Sequence, residues 1–263
     1  MGTAFGSLWA VSDNGNRCLA GGPRKGYSLF RIDPEDGRVG DGIPLHTDLS
    51  LYVTEVVGGE GAVWVATWTE PGTGDGPRYP HGVLSRVDPV AGEVTGRLGL
   101  NVVEGHLAVG NGAVWVADTP RWGGAYILRK VDPSTMRIAS RLRVGRRLGG
   151  VAVAFGSVWV AADGSVLRID PSTNRVVATI TAGPDVGGFV IWRGLVWAGV
   201  PSDKGRGLTL GIDPSTNRIV ERERLLAFGS LAAFGSVWGT DDERELLWRT
   251  DRSDREPATQ SPI

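Results

Sequence analysis

Apolar and polar positions along this chain change over at a period of two, in short runs bounded by turn residues, and helical periodicity is absent throughout. The clearest stretch lies between residues 149 and 180. GGVAVA (149–154), SVWVA (157–161), SVLRI (165–169) and RVVATI (175–180) each read as a β-strand. Phe155-Gly156 separates the first two runs. Asp163-Gly164 closes a tight hairpin into the third, because such a pair tolerates the positive φ that a two-residue turn demands. Asp170-Pro171-Ser172-Thr173-Asn174 makes the last turn: proline presets φ, Asp and Ser accept local backbone hydrogen bonds, and Asn accepts a left-handed conformation. Alternation in SVWVA puts Val158 and Val160 on one face and Ser157, Trp159 and Ala161 on the other. Both faces are mostly apolar, so the strand is expected to be covered on both sides.

This unit recurs six times. Its tryptophan stands at Trp9, Trp64, Trp115, Trp159, Trp197 and Trp238, and the aspartate of its turn at Asp33, Asp88, Asp132, Asp170, Asp213 and Asp251. The tryptophan spacings of 55, 51, 44, 38 and 41 residues scatter around the roughly 40 to 50 that one four-stranded propeller blade needs. The expected fold is all-β, a six-bladed β-propeller of four-stranded antiparallel blades in a single domain spanning 1–263. The repeated tryptophans are expected to pack between blades. The first copy opens directly at AFGSLWAV (4–11), so the first blade is expected to lack its inner strand, and a longer parent chain would accommodate a seventh blade. The last copy ends near its fourth strand.

Composition narrows the class. Hydrophobic residues make up 41%, with 40 glycines and 15 prolines, which suits many short strands joined by turns. A net charge of -1 carries no footprint for nucleic acid. The basic run RLRVGRR (141–147) falls where an outermost strand should lie and reads as a solvated edge. Cys18 is the only cysteine, which excludes an intrachain disulfide and a cysteine metal site. No stretch approaches the roughly 18 apolar residues of a membrane span. The first residues carry no export signal, so the cytoplasm is the expected compartment, and a longer N-terminus would open an extracytoplasmic location. A monomer is expected.

In an up-and-down blade, the connections between strands two and three and the links between blades share one face. Here that face varies: its connections run from Asp13 to Tyr27, from Trp68 to His81 and from Thr119 to Ala125, then shrink to Asp163-Gly164. Function favours irregular loops on a rigid scaffold, so these loops are expected to wall a pocket at one mouth of the central channel. At the inner-strand position nearest that mouth, blades four to six carry Gly150, Gly188 and Gly229, where blades two and three carry Glu55 and His106. Glu104 and Asp118 are expected to join them on one side of the opening. Trp68, Arg78, Tyr79, His81, Arg121 and Trp122 lie on the loops above and complete the expected ligand-contacting set with Glu55. The expected function is a binding or scaffolding module for a small molecule, a peptide or a protein. There is no G-x-S-x-G elbow, H-E-x-x-H pair or phosphate-binding loop.

The phrase I-D-P-S-T-N-R-V-V-A-T-I, with S-V-W-V-A before it, resembles the YVTN-type β-propeller repeat of bacterial proteins. A second resemblance is to the streptogramin B (virginiamycin B) lyases, magnesium-dependent propellers that open a cyclic depsipeptide by elimination at its ester bond. Their Glu-x-His pattern and following acid match Glu104-Gly105-His106 and Trp115-Val116-Ala117-Asp118. The acid is Asp instead of Glu, and Glu55 stands where that family carries a second histidine. This likeness implies the alternative function, a carbon-oxygen lyase in which His106 removes a proton next to a carbonyl, assisted by Glu104 and Asp118, with those two carboxylates holding Mg2+. Whether the chain is an enzyme is left open by its residues.

Overall fold

The computed structural model describes residues 2–12, 27–46, 51–69, 82–100, 104–119, 124–201, 207–223, 231–233, 236–241, 246–250 and 261–262, which form strands, turns and bends. Among them no helix is long and apolar enough to cross a membrane. The chain divides into two compact units, Met1–Arg143 and Val144–Ile263.

Every sheet has four antiparallel strands. In the first unit, β1 (Gly2–Ala4), β2 (Ser7–Ser12), β3 (Tyr27–Ile32) and β4 (Ile43–His46) pair in chain order. So do β5 (Leu51–Gly59), β6 (Ala62–Thr69), β7 (Gly82–Asp88) and β8 (Glu93–Leu100), then β9 (Glu104–Gly110), β10 (Ala113–Thr119), β11 (Tyr126–Asp132) and β12 (Arg137–Gly145). The second unit repeats the scheme with β13 (Leu148–Ala154), β14 (Ser157–Ala162), β15 (Ser165–Asp170) and β16 (Arg175–Thr181). Next come β17 (Phe189–Trp192), β18 (Leu195–Val200), β19 (Leu208–Asp213) and β20 (Arg218–Glu223), followed by β21 (Leu231–Ala233), β22 (Ser236–Asp241), β23 (Leu246–Thr250) and β24 (Ser261–Pro262). The first strands of successive sheets are neighbours: β1 lies beside β5 and β5 beside β9 in one unit, β13 beside β17 in the other.

The first sheet corrects one expectation. It has an inner strand, since Gly2, Thr3 and Ala4 pair with Trp9, Leu8 and Ser7. Three residues suffice because β1 gains its support from β5 as well as from β2. A Cβ on Gly2 would stand 2.1 Å from the Val56 carbonyl oxygen, so only glycine permits that approach.

Tryptophan burial follows from the turn before it. Phe5-Gly6, Glu60-Gly61, Asn111-Gly112, Phe155-Gly156 and Arg193-Gly194 all have positive φ at both positions, the twist-matched hairpin turn. Each tryptophan's indole N–H then donates back across that turn to the carbonyl five residues earlier, Trp64 to Gly59 at 2.9 Å and Trp159 to Ala154 at 3.1 Å. The rings enter the space between sheets. Trp64 and Ala66 pack with Leu107, Val114 and Val116 of the third sheet, while Val63 and Val65 on the other face pack with Trp9, Leu29 and Leu45 of the first. Trp159 and Ala161 likewise meet Val196, Ala198 and Ile212. Cations cover two of the buried rings, with Arg168 5.3 Å from the Trp159 ring and Lys130 5.5 Å from that of Trp115. Arg168 also donates to Asn217 Oδ1 at 2.9 Å, tying its sheet to the next sheet's turn.

The aspartate turns are closed by their own side chains. Asp170 Oδ1 accepts from the Ser172 hydroxyl at 2.6 Å and the Ser172 amide at 2.7 Å, and Asn174 N–H bonds back to the Asp170 carbonyl with Asn174 at φ 55°. These bonds hold the carboxyls of Asp132, Asp170 and Asp213 below the usual range, through the serine hydroxyl first and the backbone amides second. The amides of Ala91 and Val90 do the same for Asp88. A carboxyl depressed in the folded state contributes stability above its unfolded pKa of about 3.9 and loses it as pH falls through the lower folded value. Urea midpoints of the protein should therefore drop on acidification below about pH 4. Asp170→Asn should be less stable than the parent at neutral pH and approach it in acid; a gap that stays constant with pH would refute the role given to the carboxylate.

Candidate functional site

The starts of β5 and β9 lie at the sheet ends where the connections after Thr69 and Thr119 emerge, since Leu51 pairs with Thr69 and Glu104 with Thr119. Strand β5 carries a register shift between Val53 and Glu55, leaving Thr54 as the extra residue. Such a bulge bends the strand and re-aims the next side chain. Strand β13 has the same shift between Leu148 and Gly150. Glu55, His106 and Gly150 then occupy equivalent positions, opposite Ala66, Ala117 and Ala161.

At this level the two units differ. In the second, a Cβ on Gly150 would come within 3.0 Å of Gly188 Cα, so the neighbouring chains meet backbone to backbone. In the first, side chains bridge them. Glu55 Oε1 lies 2.8 Å from His106 Nδ1, and the Leu107 amide N–H donates to Glu55 Oε2. The imidazole and carboxylate are 36% and 28% exposed, so solvent reaches both. No other side-chain hydrogen bond of His106 is present among the described residues.

Asp118 departs from the expected cluster. Two-residue turn geometry pairs it with Gly105, one position out of step with both Glu104–Thr119 and His106–Ala117, so its register position belongs to the opposite face. Its side chain is fully buried there and receives Arg129 Nε at 2.8 and 3.0 Å. Burial pushes the Asp118 carboxyl above its usual range, with the Arg129 hydrogen bond pulling the other way. Asp118 thus lies off the register face of Glu104 and His106, with its carboxylate engaged by Arg129. Among the described residues no group of three or more His, Cys, Asp or Glu side chains is placed to hold a metal.

Arg78, Tyr79, His81, Arg121 and Trp122 lie outside the described residues, as does Gly229. Trp68 is described by its backbone, in β6 opposite Tyr52.

The corresponding sheet end of the second unit has a cleft of about 440 Å³ lined by Arg147, Gly149, Asp163, Asp185, Gly187 and Pro201 among others. Asp163 accepts the backbone amides of Arg146 and Arg147, and Arg147 Nη1 meets Asp185 Oδ1 at 2.9 Å across the rim. Its ionic groups are largely satisfied by one another. Neither this rim nor Arg129 was expected from the residues. The one signal for Arg129 is a pair of cations, Arg129 and Lys130, set between the apolar Leu128 and Val131.

Comparison with solved structures supplies the architecture's relatives. The chain superposes on BamB from Moraxella catarrhalis over 90% of its length and 70% of that chain, with a TM-score of 0.52 at 13% identity. Against the Pan2 WD40 domain of Neurospora crassa the cover is 95% and 74%, with a TM-score of 0.64 at 9% identity. The fold is propeller-like. A chain of the mitotic checkpoint complex matches this propeller-like protein with a TM-score of 0.63 at 14% identity, over 90% of this chain and 72% of that one. Identities this low speak for fold alone. No protein-family profile and no curated protein matches the sequence.

Proposed function

We propose that this chain is a six-bladed propeller of the YVTN type that binds a small ligand, a peptide or a protein partner at one mouth of its channel. The observation that carries the reading is the Glu55–His106 contact, a partly exposed polar pair where the equivalent position of β13 in the second unit is Gly150. Tryptophans and aspartate turns at the repeated positions serve packing and chain reversal, which leaves the non-repeated polar pair as the place to look for recognition. Propeller-like relatives include a chain solved within a multiprotein assembly, which fits a scaffolding role.

The pair also favours a second reading, the streptogramin-type lyase, because a carboxylate on one imidazole nitrogen orients the other as a base. One experiment separates them. A fragment library is screened by ligand-observed NMR against the protein and His106→Ala, and both are incubated with magnesium and a streptogramin B antibiotic. Fragments bound by the parent and released by the substitution, with the antibiotic intact, support the binding module. Linearised antibiotic produced only by the parent replaces it with the lyase. Fragment binding indifferent to His106, with no product, removes this mouth as the site.

A further inference from the structure

The hydrogen bonds around Glu55 carry a consequence for ligand chemistry, which rests on the binding reading above. We infer that the mouth receives its ligand through an acceptor atom, His106 Nε2, and that Glu55 sets this polarity. The Leu107 backbone N–H can only donate, and it donates to Glu55 Oε2. An ionised carboxylate can only accept, so the contact between Glu55 Oε1 and His106 Nδ1 at 2.8 Å requires the proton on Nδ1. In the neutral ring the lone pair is then on Nε2. No described residue engages that nitrogen, and the ring is 36% exposed. The complementary ligand group is a hydroxyl, an amide N–H or another donor. A carboxylate or phosphate would set one lone pair against another.

Glu55 is therefore a positioning and polarity-determining residue, acting through His106. Its amide isostere should reverse the arrangement. In Glu55→Gln the Leu107 N–H must keep the side-chain oxygen, which turns the NH2 group toward Nδ1. Nδ1 then has to accept, and the imidazole proton moves to Nε2.

The tautomer can be read without any ligand, which separates a failure here from a failure of the binding reading. Long-range proton–nitrogen correlation spectra of 15N-labelled protein are recorded about two pH units above the ordinary imidazole pKa of about 6.5. His106→Gln identifies the ring among His46, His81 and His106. The expected result is a protonated Nδ1 in the parent and a protonated Nε2 in Glu55→Gln, with the melting temperature of the variant showing that it is folded. A protonated Nε2 in the parent overturns the inference, even should the variant fail to fold. The ligand half is read by fluorine line broadening with 4-fluorophenol as donor probe and 4-fluorobenzoate as acceptor probe. The phenol should be preferred about fivefold by the parent, the worth of one neutral hydrogen bond, and the order should reverse in Glu55→Gln. Equal response of the two probes, or none, overturns that half.

Discussion

Trp64→Ala is expected to lower the free energy of unfolding by about 3 to 5 kcal/mol. Trp64 is fully buried between the second and third sheets, against Leu84, Leu107, Val114 and Val131. Removing the indole takes away a large apolar area and leaves a cavity that strands β6 and β10, held by their ladders, close only in part. The substitution also deletes the indole bond to Gly59, which fastens the turn at Glu60-Gly61. Trp64→Phe isolates that second contribution: it keeps much of the ring volume, removes the N–H and should cost about 1 kcal/mol for the bond, plus a smaller packing loss. Urea denaturation followed by the remaining tryptophans measures both. A loss under about 1 kcal/mol in Trp64→Ala would contradict the role of this ring in joining the sheets.

Arg129→Met should cost about 3 to 5 kcal/mol at neutral pH, since it leaves the buried Asp118 carboxylate without its cation. The sign of its pH dependence follows from the same burial. The Asp118 carboxyl already lies above its usual range, so stability falls as pH rises from the unfolded pKa of about 3.9 through the higher folded value, and levels off above it. Without Arg129 that value rises further. The stability gap between Arg129→Met and the parent should be widest at neutral pH and shrink on acidification, as Asp118 takes up a proton. The double substitution Asp118→Leu with Arg129→Met should recover most of the loss, because an apolar pair of similar volume leaves no buried charge. A double variant as unstable as Arg129→Met alone would show that the guanidinium acts by something other than neutralising Asp118.

Much of this architecture was legible before any coordinates. The positive-φ turns, the D-P-S-T-N reversals and the two-sided apolar strands around each tryptophan depend on residues within about a dozen positions of one another, where backbone geometry leaves few alternatives. The first inner strand is not legible in the sequence, because Gly2, Thr3 and Ala4 make too short a run to show alternation. Its existence depends on β5, more than 40 residues away. The face of Asp118 was accessible from the sequence, since the two-residue turn at Asn111-Gly112 dictates the pairing of β9 with β10. The partner of Asp118 was not. Arg129 arrives across the connection after Thr119, whose irregular length fixes no register by pattern alone.

The sequence by itself determined the all-β class, the strands of the repeat and the turn chemistry that returns each chain segment onto the last, since all of these are local. Only the tertiary structure decided which polar groups meet. Glu55 and His106 stand 51 positions apart, and a one-residue bulge in β5 together with the side-by-side approach of β5 and β9 brings them within hydrogen-bonding distance. The same pleat that makes strand patterns readable places Asp118 on the other face, where burial and Arg129 make it part of the interior.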